Sequence, residues 1–353
     1  MKNKIIKNML ILLIVAILLS LSIAFSSIAY LERFAKVAPK AQSTAATQKE
    51  HLITIASGDG LRNIAKKLEE LEVISNQYLF IALAKYRGSN KKIKAGEYAF
   101  SSLDTPEKIL DMLVKGKVKL HKITIPEGLN FREIAQLVQK AGFGRSEDFI
   151  KLVKDQNFIA SLKIIGSTKF EAESLEGYLF PETYLFPAGV DQKKIISTMV
   201  NGFSKVFSPD WIEECRKIGF SVHQIVTLAS IIEKETANSD ERGLISSVFH
   251  NRLKLGMRLE SDPTVIYEIP NFNGNITKNH LKTPTPYNTY AIFGLPPGPI
   301  ANPGRFSLQA AIYPQKSDFI FFVSKNDTTH HFSTNLQEHN RAVRKYQLRK
   351  IEP

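Results

Sequence analysis

Cysteine is nearly absent from this chain of 353 residues, with Cys215 the only one, so an internal disulfide is impossible and the fold must be held without one. Neither a P-loop nor a dinucleotide fingerprint occurs, which removes the two common nucleotide-binding signatures. No His-Glu-x-x-His occurs either. His330, His331 and His339 form the one histidine-rich stretch, but adjacent histidines on a strand point to opposite faces, so no metal site is expected. No cofactor is implied. Acidic residues are few beside basic ones, 34 against 47, giving a net charge of +13 that suits an anionic polymer or surface. The hydrophobic content of 43% and charged content of 23% are those of a folded chain with room for two or three domains.

Charge itself is missing from Asn8 to Leu31, where the run beginning at Met9 is long enough to cross a bilayer at the ~20 residues a spanning helix needs. Lys2, Lys4 and Lys7 precede it. The positive-inside bias therefore keeps the N-terminus in the cytoplasm and exports everything after Glu32, which leaves nucleic acid out as a partner. A cleavable signal peptide is the competing reading, since Ser26-Ser27-Ile28-Ala29 supplies small residues, but its apolar core would be unusually long. The expected divisions are residues 1–31 as cytoplasmic tip and anchor, with 32–51 as a linker rich in Ala, Ser, Thr, Gln and Lys.

An internal repeat follows. Ile53-Thr54-Ile55, Gly58, Arg62, Ile64-Ala65 and Leu68 return as Ile123-Thr124-Ile125, Gly128, Arg132, Ile134-Ala135 and Val138. Each copy reads as strand, glycine turn and helix. The first continues through a helix over 76–87 into a strand near Gly96 to Phe100. Two related modules are expected, 52–118 and 119–165, with a third domain over 166–353. A further helical pattern runs over 146–162, and Phe319 to Val323 reads as a strand. The strand-helix-helix-strand order resembles the LysM modules that bind cell-wall glycan, while simple spacers would fit the same pattern.

The chemistry is concentrated downstream. His223 to Glu235 reads as an amphipathic helix. At roughly 100° per residue, Ile225, Leu228, Ile231 and Ile232 form one stripe, and Glu235 falls near its centre. Glu233 projects roughly 140° away with Val226 and Ser230, as a solvated or structural carboxylate. A carboxyl at the end of an apolar stripe is desolvated, which raises its pKa toward the range of a general acid at neutral pH. The plainer alternative for Glu235 is a salt bridge with Lys234 or Arg242.

Turn-rich segments come next: Asn251-Arg252-Leu253, Ser261-Asp262-Pro263-Thr264-Val265-Ile266-Tyr267, Pro286-Tyr287-Asn288-Thr289-Tyr290 and Gly294-Leu295-Pro296-Pro297-Gly298-Pro299-Ile300. Loops pinned by proline and glycine can hold polar groups in fixed directions around an extended polar ligand. Asn288, Tyr290, Asp262 and Thr264 are the candidate substrate contacts, with turn-capping the alternative for Asp262 and Asn288. Upstream, Leu175-Glu176-Gly177-Tyr178-Leu179-Phe180-Pro181-Glu182-Thr183-Tyr184 interleaves aromatics with carboxylates, as a sugar cleft would. Glu182 is the candidate from that segment.

Leu228-Ala229-Ser230-Ile231-Ile232-Glu233-Lys234-Glu235-Thr236-Ala237, together with the Ser-Asp-Pro-Thr, Pro-Tyr-Asn-Thr-Tyr and Gly-Leu-Pro-Pro-Gly-Pro-Ile segments, resembles the endolytic murein transglycosylases of the YceG-like type. The resemblance covers nearly the full chain. It implies an α+β architecture: an N-terminal transmembrane helix, LysM-like α+β modules and a C-terminal α+β catalytic domain whose catalytic helix lines a cleft. It places the catalytic acid on Glu235 and implies cleavage of the β-1,4 bond between N-acetylmuramic acid and N-acetylglucosamine in nascent glycan strands. The enzyme would be a lyase leaving 1,6-anhydro ends and limiting strand growth. It would be held by one span in the cytoplasmic (inner) membrane, acting beside peptidoglycan polymerases. A non-catalytic wall-binding scaffold is the alternative from a different class.

Overall fold

A computed structural model describes residues 2–39, 50–165, 172–236, 238–270 and 272–348. The chain divides into two compact units, Met1–His121 and Lys122–Pro353.

The first unit opens with helix α1 (Lys2–Lys36), whose uncharged stretch is exposed from Asn8 to Tyr30 among the described residues. Of the linker expected over 32–51, residues 32–36 are the last turn of α1, 50–51 open the first strand, and 40–49 lie outside the described residues. Strand β1 (Glu50–Ile55), helices α2 (Leu61–Glu70) and α3 (Gln77–Tyr86), and strand β2 (Gly96–Ser101) follow in the expected order, then α4 (Pro106–Lys115). β1 and β2 pair antiparallel, Ile53 opposite Tyr98 and Ile55 opposite Gly96. The alternating apolar residues of β1, Ile53 and Ile55, face a closed core with Ile64, Leu68, Phe80, Leu83 and Phe100.

The second unit begins with the other repeat: β3 (Leu120–Thr124), α5 (Phe131–Lys140), α6 (Ser146–Lys154), α7 (Gln156–Ser161) and β4 (Thr183–Pro187), with β3 and β4 paired in a two-stranded sheet. The helix expected over 146–162 is broken at Asp155, whose side chain accepts from the N–H groups of Asn157 and Phe158 and so starts α7. The expected module boundary at 165–166 does not mark a separate core. Ile123, Ile134, Val138 and Phe149 join one buried cluster with Ile196, Phe203, Ile225, Ile231 and Leu308. Residues 166–171, where the third domain was expected to start, lie outside the described residues.

Helices α8 (Gln192–Val206), α9 (Pro209–Lys217), α10 (Val222–Glu235), α11 (Arg242–Lys254), α12 (Asp262–Ile266), α13 (Lys278–Lys282) and α14 (Arg305–Ile312) complete the helical layer. A hairpin of β5 (Phe321–Ser324) and β6 (His330–Ser333) leads to α15 (Leu336–Tyr346). Asn251-Arg252-Leu253, expected in a turn, belongs to α11. The architecture is α+β, with helices dominating.

Candidate active site

Helix α10 carries the site. Its start is a capping box, Ser221 accepting from the Gln224 N–H while the Gln224 side chain accepts from the Ser221 N–H. Its end comes at Thr236, which turns to an extended conformation, leaving Glu235 as the last helical residue. The amphipathic picture is corrected: α10 packs against α9, α11, α12 and α14, and both its sides are buried, Val226 and Ser230 as fully as Ile225 and Ile231. Ser230 manages this by donating to the Thr227 carbonyl at 2.7 Å and accepting the Ile300 N–H at 3.0 Å.

Glu233 is not solvated. Its side chain is 7% exposed and takes the Gly304 N–H at 3.0 Å and the Arg242 guanidinium at 3.5 Å, which ties α10 to α11 and to the start of α14. Arg242 is therefore engaged by Glu233, and among the described residues no ion pair forms with Glu235.

Glu235 instead meets a hydroxyl. Ser261 donates to its Oε1 in a short hydrogen bond, and among the described residues no other hydrogen bond reaches the carboxyl. Burial pushes the Glu235 pKa up to about 7, against the lowering effect of the Ser261 hydrogen bond; the Asp262 carboxylate adds to the rise and the Arg252 cation opposes it. The position at a helix C-terminus, where carbonyls point outward, also disfavours an anion.

Ser261 is 2% exposed and held from behind. Its N–H donates to Thr289 Oγ1 at 2.9 Å, its carbonyl accepts from Thr264 Oγ1 at 2.7 Å, and the two threonine hydroxyls lie 2.8 Å apart. Thr264 is thus sealed inside this network with no exposed surface, against Ser261. Asn288 makes the turn-capping contacts that were its alternative reading. At 1% exposure, its amide donates to the carbonyls of His280, Leu281 and Thr283 and accepts from the Tyr290 N–H, so its polar atoms are consumed in pinning the turn. Asp262 and Tyr290 remain near the surface beside Glu235, the Tyr290 hydroxyl donating to Asp262 at 2.7 Å. That hydrogen bond and burial hold the phenol far above its ordinary range. Glu182 is exposed at the start of β4, its carbonyl accepting from the Ile125 N–H at 2.9 Å, and it does not line the groove beside α10.

That groove, about 770 Å³, runs past Arg132, Gln136, Lys234, Pro263, Tyr267 and Phe272. It includes both immediate sequence neighbours, Lys234 and Pro263, of Glu235 and Asp262, though not those acids themselves. Its wall is braced by a second buried acid that composition alone does not single out. Glu176, 2% exposed, accepts from the Phe131 N–H at 3.0 Å, the Tyr267 hydroxyl at 3.0 Å and the Asn302 amide at 2.8 Å. Burial pushes it up to about 8 despite these donors and the nearby Arg132 charge. Next to it Gly177 has φ +85°, and a Cβ there would lie 2.6 Å from Pro299 and 2.7 Å from Val226, so only glycine lets the 172–182 segment seat on α10. Asn302, fully buried, also donates to the Leu129 carbonyl and accepts from the Leu179 N–H.

The histidines lie elsewhere. His330 pairs with Glu241 at 2.7 Å, and among the described residues no cluster of three metal-ligating side chains occurs. Ser261, Glu176 and Asn302 were not singled out as site residues from the sequence; a buried Ser or Asn looks like any turn residue until its partners are known.

A carboxyl raised to about 7, with a buried hydroxyl holding one of its oxygens and its sequence neighbour Lys234 lining a groove, has the chemistry to give and take a proton near neutral pH. The YceG-like family profile matches residues 53–345. The endolytic murein transglycosylase of Bacillus subtilis (strain 168) is 34% identical over 304 residues, 83% of this chain and 84% of that protein. Its counterpart from Streptococcus pneumoniae serotype 2 (strain D39) is 30% identical over 84% of this chain, which spans 58% of that longer protein. A crystal structure of a YceG-like protein from Listeria monocytogenes superimposes with a TM-score of 0.59 at 34% identity, covering 84% of this chain and 99% of the other. The chain belongs to the YceG-like family.

Proposed function

We propose that this protein is an endolytic murein transglycosylase, held by α1 in the cytoplasmic membrane with its remaining domains outside the cytoplasm, and that Glu235 is its catalytic acid and base. The relatives named for that activity support the reaction class, and the uncharged stretch of the N-terminal helix supports the anchor. The observation that supports the mechanism is the partly buried Glu235 carboxyl, held through Oε1 by Ser261 and raised to about 7.

The chemistry follows from one acid used twice. Protonated Glu235 donates to the glycosidic oxygen as the bond to muramic acid C1 breaks. The resulting carboxylate then takes the proton of the muramic acid C6 hydroxyl, whose oxygen closes on C1 to form the 1,6-anhydro ring. No water is consumed and the proton count returns to its start. A hydrolase instead places a second carboxylate where it can activate water or attack C1. A pKa near the working pH serves both halves of this cycle, because neither protonation state is costly to reach.

Asp262, exposed and close to Glu235 and held by the Tyr290 hydroxyl, would orient substrate hydroxyls. The first module and its repeat would hold glycan in the manner of LysM modules, and glycan polymerases are the expected neighbours at the membrane. The test uses the full-length chain with murein. Mass spectrometry should find 1,6-anhydro ends with the parent and none with Glu235→Gln. Products with free reducing ends would replace this reading with hydrolysis, and binding without cleavage would replace it with the scaffold.

A further inference from the structure

The apolar run of α1 stops at Leu31, but the helix does not. It continues unbroken to Lys36, where Phe34 and Ala35 enter the core of the first unit beside Phe80 and Leu83 of α3. Arg87, just past α3, pairs with Glu32 at 2.9 Å and with Glu107 at 2.9 Å. α3 is therefore fixed against the end of the anchor, not strung on a tether. A groove of about 620 Å³ separates the two helices, lined by Ser22, Ser27, Tyr30 and Leu31 of α1 and by Leu79 and Ala82 of α3.

The depth of that groove decides what fills it. At about 1.5 Å per residue, the uncharged stretch from Asn8 to Leu31 is about 35 Å long, against a hydrocarbon layer of about 30 Å. Even a span set as far toward the N-terminus as the sequence allows, flush at Asn8, leaves Ser22 and Ser27 within the acyl region. Leu79 and Ala82 share one groove with them. α3 must then lie at the bilayer surface.

Its outward face has the matching chemistry. Phe80, Leu83 and Ala84 turn to the core, while Tyr78, Ala82, Lys85 and Tyr86 form the exposed side, Tyr78 at 73% and Tyr86 at 50% exposure. Tyrosines flanked by Lys85 suit the layer where aromatic rings and cations meet headgroups. Sugar also stacks on exposed tyrosine, yet a glycan cannot follow a groove that descends to Ser22 in hydrocarbon.

We propose that α3 is a membrane-surface helix, with Tyr78, Ala82 and Tyr86 in the headgroup layer and a lipid chain filling its groove with α1. This rests on the anchor reading above. The first module is then held flat on the bilayer.

The experiment places the full-length chain in phosphatidylcholine–phosphatidylglycerol vesicles containing lipids brominated near the glycerol end. Tyr78→Trp and Tyr86→Trp are compared with Phe25→Trp in the anchor and Leu52→Trp on β1, over the baseline of the native Trp211. Tyr78 and Tyr86 are surface positions, and either variant alone gives the reading if the other folds poorly. The added tryptophan at 78 or 86 should lose emission to bromolipid and shift to shorter wavelength, as Phe25→Trp does, while Leu52→Trp keeps its emission. Quenching at 25 with none at 78 or 86 overturns the proposal and leaves the anchor intact; protection of those two positions by murein fragments would then assign the face to glycan. No quenching at 25 overturns the anchor, and this proposal with it.

Discussion

Two acids of the second unit, Glu235 at the end of α10 and Glu176 in the 172–182 segment, have pKa values lifted by desolvation, to about 7 and about 8. Their surroundings differ in kind. Glu176 accepts from three donors on three separate segments and is a fastener whose oxygens are used up. Glu235 has one hydroxyl partner and lies beside Asp262, each next in sequence to a residue of the groove, Lys234 and Pro263. A displaced pKa therefore does not by itself identify a catalytic group; a remaining oxygen that a ligand can reach does.

Substitutions should separate the two acids. Glu235→Gln is expected to reduce anhydro-product formation on the order of a thousandfold with little change in melting temperature, checked by product chromatography beside calorimetry. Glu176→Ala should do the reverse, costing about 3 kcal/mol of stability because three buried donors lose their acceptor, as denaturant titration would measure. A stability loss at 235 and none at 176 would break the comparison.

Ser261→Ala sharpens it further. The hydroxyl favours the ionised carboxyl, so its loss raises the Glu235 pKa, and the high-pH limb of the rate profile should move to higher pH, with activity at neutral pH reduced about tenfold. A profile unmoved by the substitution would detach Ser261 from the acid. The smallest effect concerns stability against pH. Both acids have folded pKa values above the ordinary carboxyl range, so the folded state binds more protons than the unfolded one between about 4.5 and 8. Stability should fall as pH rises through that window and level off above it, and Glu176→Gln should flatten the upper part of the slope.

The repeats show how far sequence reading reaches. Strand, glycine turn and helix were legible in both copies because they are local: alternation at Ile53 and Ile55, apolar spacing at Ile64, Ala65 and Leu68, and the same in the second copy. Where each copy sends its apolar face is not local. The first closes on its own core, whereas Ile134 and Val138 of the second pack into the cluster built on α8 and α10, so the boundary at 165–166 could not be read from pattern. Glu235 was picked out from one helix face, although the other face is buried too, so the single-stripe picture of α10 was only partly true. Turn-capping by Asn288 was legible as an alternative, whereas the bond from Thr264 to Ser261 was not, because its partners come from a turn and a hydroxyl brought together only by the fold.

The most direct test of the central claim is the titration of Glu235 itself. The protonated-carboxyl infrared band present in the parent and missing from Glu235→Gln should disappear with a midpoint at about pH 7. A midpoint at the ordinary carboxyl value of 4.5 would contradict the account, since an acid already ionised at neutral pH has no proton to give the glycosidic oxygen.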